Sequence, residues 1–442
     1  MPRVSALPAA PSHRRLTAAD YRTLVLSALG GALEFYDFII FVFFVTVLGH
    51  LFFPPGIPDW LVQLQAFGIF AAGYLARPLG GIVLAHFGDT LGRKRMFTLS
   101  IFLMALSTLG IACLPSYASI GIAAPILLLT MRVLQGAAIG GEVPGAWVFV
   151  SEHVPARRVG LACGILTCGL TSGILLGSLV ATAINRSFSP ADIHDWAWRI
   201  PFLLGGIFGF CAVYLRSWLE ETPIFKEMKA RKALAAELPV KLVMRRYGAQ
   251  VLLSMALTWM LSAAIVVVIL MTPTLLQTRY GISAATALTA NSLATLTLSA
   301  GCVLTGLLCD RLGAGRVLTF GCAGLGASVY ALYALVGIQP QMLLPLYGVA
   351  GFFVGVISAT PFVMVRIFPP EVAFSGVSFS YNVAYAIFGG LTPLLVTLAL
   401  QIDPMAHAHY ILAISVMGAL IGINLWARET AAPKVPARLP TA

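Results

Sequence analysis

Long apolar runs recur along the whole chain, each broken by a short polar connection. A helix needs about 20 such residues to cross the hydrocarbon core of a bilayer. Twelve runs meet that length: 24–52, 60–84, 96–114, 121–150, 159–184, 200–219, 250–271, 284–309, 315–336, 341–368, 374–400 and 408–427. Only helices and closed barrels pair every backbone group inside lipid, and barrel strands alternate apolar and polar residues. These runs do not alternate, so the pattern predicts an all-α integral membrane protein with twelve transmembrane helices. The longest polar interruption, 220–249, divides them six and six. Its periodic apolar residues predict one or two short amphipathic helices on the membrane surface. The expected organisation is a tail (1–23), a six-helix bundle (24–219), a linker (220–249), a second six-helix bundle (250–427) and a short tail (428–442).

Composition removes the soluble alternative. Of 442 residues, 59% are hydrophobic and 10% charged, against roughly a quarter charged in soluble domains. The formal net charge of +11 would suit nucleic acid in a soluble protein. Here its distribution excludes that reading. Of the 28 Lys and Arg, only Arg186, Arg199 and Arg279 fall in exterior loops and only Arg77 and Arg132 within spans, if both termini are cytoplasmic. The rest face the cytoplasm, as the positive-inside rule requires. Residues 1–23 lack the apolar core of a secretory signal. The seven cysteines show no CxxC spacing, so neither a disulfide framework nor a metal site is expected. His407 and His409 form an HxH in a short exterior loop, read as solvated and not as a metal site.

A weak internal repeat supports the six-plus-six division. HFGDTLGRKR (86–95) follows the second span and GLLCDRLGAGR (306–316) closes the eighth. Each places an acid, Asp89 or Asp310, at a helix end with Gly92-Arg93 or Arg311 nearby, suited to a contact that opens and closes between halves. Repeated halves with a substrate site near the midplane are a common plan of secondary transporters.

Charges inside the spans carry the chemistry. An ionised residue at the bilayer centre costs at least about 2.5–3.5 kcal/mol, so it needs a partner or a task. Glu34, Asp37, Arg77, Arg132 and Glu142 lie deep in the first six spans. At 1.5 Å rise per residue, Glu34 lies about 18–20 Å along its span, Asp37 a turn further, and Arg132 about 16 Å along another. Arg132 is therefore the expected counter-ion of one acid, and Arg77 with Glu142 forms a second candidate pair nearer the cytoplasm. A carboxyl that alternates between a guanidinium and a proton is a simple coupling device, because burial disfavours its charge and a nearby cation favours it. In the last six spans the candidate lining is uncharged: Asn291, Tyr381, Asn382 and Tyr385, the last two one helical turn apart.

Several of these segments carry a family resemblance in order and register: GALEFYDF (31–38), RPLGG (77–81), residues 116–155 with MRVLQGAAIGGEVPGAW, WAWRIPF (196–202) and LEETPIF (219–225). They resemble the metabolite:proton symporter family of the major facilitator superfamily, which includes proline/betaine, citrate, α-ketoglutarate and shikimate transporters. The resemblance implies the major facilitator fold, two six-helix bundles around a central cavity. It also implies alternating-access import across a bacterial inner membrane with both termini cytoplasmic. The chain would be driven by the proton gradient without a cofactor and act as a monomer on a small-molecule substrate. Similarity to sugar porters assigns the proton-coupled pair to Asp37 and Arg132, with Glu34 a further titrating candidate. Arg77, Arg132 and Glu142 are the charged substrate-binding candidates, and a di- or tricarboxylate is the expected substrate. The rival readings are a proton-coupled exporter and an uncoupled channel; an exporter's Gly-Pro element in the fifth span is replaced here by GLTSGILLGS (169–178). The terminal RETAAPKVPARLPTA does not resemble the charged coiled-coil extension of osmosensing members, so osmotic gating of that type is not expected.

Overall fold

The computed structural model describes residues 16–91, 93–140, 142–217, 239–369 and 372–431, excluding the side chains of 19, 81–98, 142, 215–217, 239–242 and 374. Within these residues the chain is helical, and the helices fall into twelve crossing units. The first six are α1 (Ala18–Phe43 continued by Val45–Phe52), α2 (Asp59–Leu91), α3 (Arg93–Cys113), α4 (Ala123–Ile139 continued by Glu142–His153), α5 (Val159–Ser187) and α6 (Ile200–Ser217). The second six are α7 (Gly248–Ala263, Ala264–Met271 and Thr272–Tyr280), α8 (Ala284–Leu312), α9 (Ala314–Val336), α10 (Leu343–Val354, Gly355–Ser358 and Ala359–Ile367), α11 (Ala373–Ala384, Tyr385–Gly389 and Gly390–Ala399) and α12 (Ala406–Ala431). Among the described residues, ten helices are long and apolar enough to cross a membrane, and Leu99–Cys113 is a shorter apolar helix. Of the linker, Pro239–Arg246 forms a short helix with basic Arg245 and Arg246 in its last turn; residues 220–238 lie outside the described residues.

The packing repeats with a period of six helices. In the first six, α1 packs on α5 and α6, α2 on α4, and α3 on α4 and α6; in the second six, α7 packs on α11 and α12, α8 on α10, and α9 on α10 and α12. The two sets meet along two related seams, α5 with α8 and α11 with α2.

Small residues make these approaches close, as expected where lipid supplies no hydrophobic drive between helices. A Cβ on Gly136 of α4 would enter the backbone of Gly73 in α2, and one on Gly80 would enter that of Ala137. Gly169 and Gly173, from the glycine stripe of α5, likewise face the Ala28 and Ala32 backbone of α1. Gly136→Ala is therefore expected to destabilise the protein by about 1–3 kcal/mol, the usual penalty of overpacking. Thermal unfolding in detergent at a lower temperature than wild type is the check; an unchanged midpoint would show that the α2–α4 seam yields.

Three crossing units, α7, α10 and α11, pass through a π-helical or 3-10 stretch, and proline accounts for each. Proline cannot donate to the carbonyl four residues earlier. Pro273, Pro361 and Pro393 strip that donor from Ile269, Ile357 and Gly389, and these lie in the π-helical Ala264–Met271, the 3-10 turn Gly355–Ser358 and the π-helical Tyr385–Gly389. The Thr272 hydroxyl also donates to the Val267 carbonyl within the π-helical stretch at 2.9 Å. Helix ends also overrun the apolar runs: α7 passes its expected end at 271 and continues through the more polar turns TPTLLQTRY to Tyr280.

Candidate functional site

Arg77 of α2 sits where the first six helices meet α11, and it is 1% exposed. Its guanidinium carbon lies 5.0 Å from the ring centroid of Tyr385, 5.5 Å from Tyr74, 5.7 Å from Tyr381 and 5.9 Å from Phe38. Tyr381 and Tyr385 come from α11, so both sets of helices build this cage. Nε and Nη2 of Arg77 are buried without a hydrogen-bond partner. Buried donors in that condition cost about 1–3 kcal/mol each, more when charged. Trp147 of α4 stacks edge-on against Tyr381 at 5.1 Å, and Tyr74 contacts Tyr385 at 5.0 Å, closing the group from the side. Asn382 belongs to the same wall: its Nδ2 donates at 2.5 Å to the carbonyl of Gly140, where α4 is interrupted.

Arg132 lies beside this group. Its Nη1 donates to the Phe38 carbonyl at 3.0 Å and to Gln135 Oε1 at 2.8 Å, while Phe38 and Phe41 sit 4.4 and 4.6 Å from its guanidinium carbon. The shared level of Arg132 and α1 agrees with the depth expected from the sequence. The expected ion pair with Asp37 is not formed, however. Successive helical residues point about 100° apart, and Asp37 projects away from α4 toward α3 and α6. A Cβ on Gly205 would stand 2.5 Å from Asp37 Oδ1, and one on Gly209 would stand 3.0 Å from Oδ2. Glycine at these two positions is what makes room for the carboxyl. Asp37 is fully buried and neither oxygen has a hydrogen-bond partner. Arg132 bonds Gln135, whose Nε2 donates to the Thr108 hydroxyl at 2.6 Å; that hydroxyl donates on to the Met104 carbonyl at 3.0 Å, and it is the Thr108 methyl that lies next to Gly205. Glu34 is buried one turn away on α1. The side chain of Glu142, and with it the Arg77–Glu142 pair, lies outside the described residues.

Asn291 is placed elsewhere. On α8 it donates to Ser178 of α5 at 3.2 Å and accepts from the Tyr347 hydroxyl at 2.5 Å. Among the described residues no bond or ring contact joins this cluster to Arg77. The HxH motif also differs from expectation. His407 is fully buried against Tyr333 with ring centroids 3.9 Å apart, and only His409 is exposed, paired with Asp403 at 2.8 Å. The start of α12 turns inward, which a loop reading missed.

At the face expected to be cytoplasmic, Asp310 joins the two sets of helices. Its two oxygens accept from the backbone N–H groups of Gly160 at 2.7 Å and Leu161 at 2.9 Å, capping the start of α5 from the end of α8. Arg366 of α10 donates to the Ala156 carbonyl beside it at 2.7 Å. Arg311 is exposed. Gly92 and the side chains of Asp89 and Arg93 lie outside the described residues. Hydrogen bonds to a charged group contribute about 1.5–3 kcal/mol, so Asp310→Ala is expected to accelerate amide exchange at Gly160 and Leu161 by about tenfold or more. Unchanged exchange there would show that the cap does not hold this end.

Along the α5–α8 seam, Thr171 bonds Ser299 and Ser178 bonds Ser292, each at 2.9 Å, and Arg186 reaches Thr289 at 3.0 Å toward the opposite face. The sequence offered signals for several residues it did not nominate. Tyr74 is three residues before Arg77 and Gln135 three after Arg132, each on the same helical face.

Twelve helices that repeat one packing plan around a sealed, charged centre built from both sets define a polytopic membrane transporter. Comparison with known proteins agrees. A family model described as Major Facilitator Superfamily matches residues 28–393. A Staphylococcus aureus (strain COL) protein provisionally named as a proline/betaine transporter is 32% identical over 406 residues, 90% of this chain and 87% of that protein. The proline/betaine transporter of Escherichia coli K12 is 30% identical over 429 residues, 93% of this chain and 84% of that protein. Among solved structures, the proton:xylose symporter XylE bound to 6-bromo-6-deoxy-D-glucose superposes with a TM-score of 0.72 at 16% identity, over 92% of this chain and 95% of that one, a likeness of fold. The chain belongs to the major facilitator superfamily and is a transporter rather than an enzyme.

Proposed function

We propose that the protein is a proton-coupled symporter that imports a small zwitterion, of the amino-acid or betaine kind, across a bacterial inner membrane. Arg77 carries this reading. Its free Nε and Nη2 donors suit one carboxylate, while Tyr74, Tyr381 and Tyr385 offer the aromatic faces that attract a quaternary or protonated amine. Arg132 beside Arg77 also keeps unpartnered Nε and Nη2 donors. The ring faces around Arg77, however, attract a cation and not further carboxylates, so the di- or tricarboxylate expected from the sequence gives way to a zwitterion. The names of the relatives point the same way.

In this proposal the halves 24–219 and 250–427 rock about the α5–α8 and α2–α11 seams. Because Tyr381 and Tyr385 belong to one half and Arg77 to the other, substrate bound between them draws the halves together. Release inward requires Asp310 to leave the start of α5. The proton is carried by Asp37: an ionised carboxyl buried without a partner is expensive, and a proton removes the charge. Arg132, held to the Phe38 carbonyl of the helix that bears Asp37, is the cation whose movement re-tunes that acid. Each chain encloses its own centre, so the monomer is the transport unit, with both termini cytoplasmic.

The test is uptake into proteoliposomes of labelled proline, betaine, succinate and citrate, with and without an imposed inward proton gradient. Gradient-dependent accumulation of proline or betaine is expected. Accumulation of citrate or succinate alone would overturn the substrate class, and outward movement of substrate against proton inflow would replace import by export.

A further inference from the structure

A second polar cavity lies at the opposite face from Asp310, between the ends of α1, α2, α7 and α11. It has a volume of about 370 Å³, within the range of pockets that enclose small molecules. Both halves of the molecule contribute. Asp59, Trp60 and Gln63 from the start of α2 form one wall; Thr278 and Arg279 from the end of α7, with Gln401 after α11, form the other. The two charged residues are of opposite sign and face the same space, yet no ion pair joins them among the described residues. Arg279 is steadied by a hydrogen bond from its Nη2 to the Leu400 carbonyl, which fixes the guanidinium at the rim. Trp60 is 40% exposed, so its ring face is open to the cavity it lines.

The cavity is continuous in character with the centre. Beneath it, a smaller cavity shares Trp60, Gln63, Thr278 and Arg279 and reaches down to Phe67. Along α2, Trp60, Gln63, Phe67, Phe70, Tyr74 and Arg77 follow one another at alternating steps of three and four residues, which places them on one face of the helix. Phe70 and Tyr74 meet edge to face at 4.9 Å, so the stripe ends as packed rings above Arg77. One helical face thus links the outer cavity to the aromatic cage. The chemistry at its two ends is alike: a guanidinium for a carboxylate and aromatic faces for a cation, with an added acid at the outer end.

We propose that this vestibule is a first binding station for the transported zwitterion. The carboxylate is held by Arg279, and the cationic group by Asp59 and the face of Trp60. The station rests on the zwitterion reading above. It concentrates substrate at the mouth and presents it, already oriented, to the α2 stripe when the rings of Phe70 and Tyr74 part. Because it opens on this face, it acts on uptake from that side and not on efflux.

The experiment is betaine transport in proteoliposomes of known orientation, measured from each face. Asp59→Asn is expected to raise KM from the vestibule face by about tenfold, the loss of one charge contact of about 1.4 kcal/mol. Trp60→Ala is expected to raise it about three- to fivefold, the scale of an exposed cation–π contact. Vmax should stay within about twofold, KM from the face bearing the termini should not move, and Asp59→Glu should restore the wild-type KM. Unchanged KM from the vestibule face in both variants, with wild type carrying betaine, overturns the station alone. A fall in Vmax with KM unchanged also overturns it, since that marks a gating or folding defect. A wild-type protein that carries neither proline nor betaine removes the zwitterion reading and, with it, the ligand assigned here.

Discussion

Asp37→Asn is expected to abolish gradient-driven accumulation while leaving substrate exchange across the membrane intact. One elementary charge moved through 100 mV is worth about 2.3 kcal/mol, enough for about 50-fold accumulation of a co-transported substrate. Without a titrating group that ratio falls to about one. Asparagine nearly matches aspartate in volume, and Asp37 makes no hydrogen bond whose loss would disturb packing. The fit between Gly205, Gly209 and Thr108 is therefore preserved. Counterflow, which needs binding and reorientation but no net proton movement, should survive at a substantial fraction of the wild-type rate. Full accumulation by Asp37→Asn would move the proton to Glu34; loss of counterflow as well would make Asp37 a structural or substrate-binding residue.

The second large effect is expected at Arg77. Lysine keeps the charge but lacks the planar fork that can stack between rings and still offer two parallel donors to a carboxylate. The guanidinium carbon of Arg77 stands 5.0–5.9 Å from four ring centroids, a spacing set by a flat group. With hydrogen bonds to charged partners at about 1.5–3 kcal/mol, Arg77→Lys should weaken substrate binding by about 10- to 150-fold, with the folded protein recovered at normal yield. The measurement is equilibrium binding of labelled betaine to detergent-purified protein, which separates binding from transport. Wild-type affinity in Arg77→Lys would place the carboxylate on Arg132 or elsewhere.

Much of the architecture is legible in the sequence because membrane spans are long and their composition extreme. All twelve crossing units lie where apolar runs predict them, and the Asp310 motif lands at a helix end that bridges the two sets. Less legible is anything that depends on which way a side chain points. Depth along α1 and α4 places Arg132 level with Asp37, yet depth carries no azimuth, and Asp37 leaves α1 on the side away from α4. Asn291 and Tyr385 are both polar residues in apolar helices, but α8 turns the first toward Tyr347 and α11 turns the second toward Arg77. The breaks in α7, α10 and α11 were readable in principle, since each follows from a proline whose missing donor falls four residues upstream. Tyr74 was readable too, as the residue one turn before Arg77. His407 was not: the HxH pattern resembles an exposed loop, and its burial depends on how α12 packs against Tyr333.

Coupling of substrate to protons is the central claim, and proton movement itself tests it most directly. Proteoliposomes in lightly buffered, potassium-clamped medium receive proline or betaine while external pH is recorded. Wild-type protein is expected to give a prompt alkalinisation that scales with substrate taken up, and Asp37→Asn none even while counterflow continues. Substrate uptake by wild type with no pH change, or equal alkalinisation by Asp37→Asn, would contradict it.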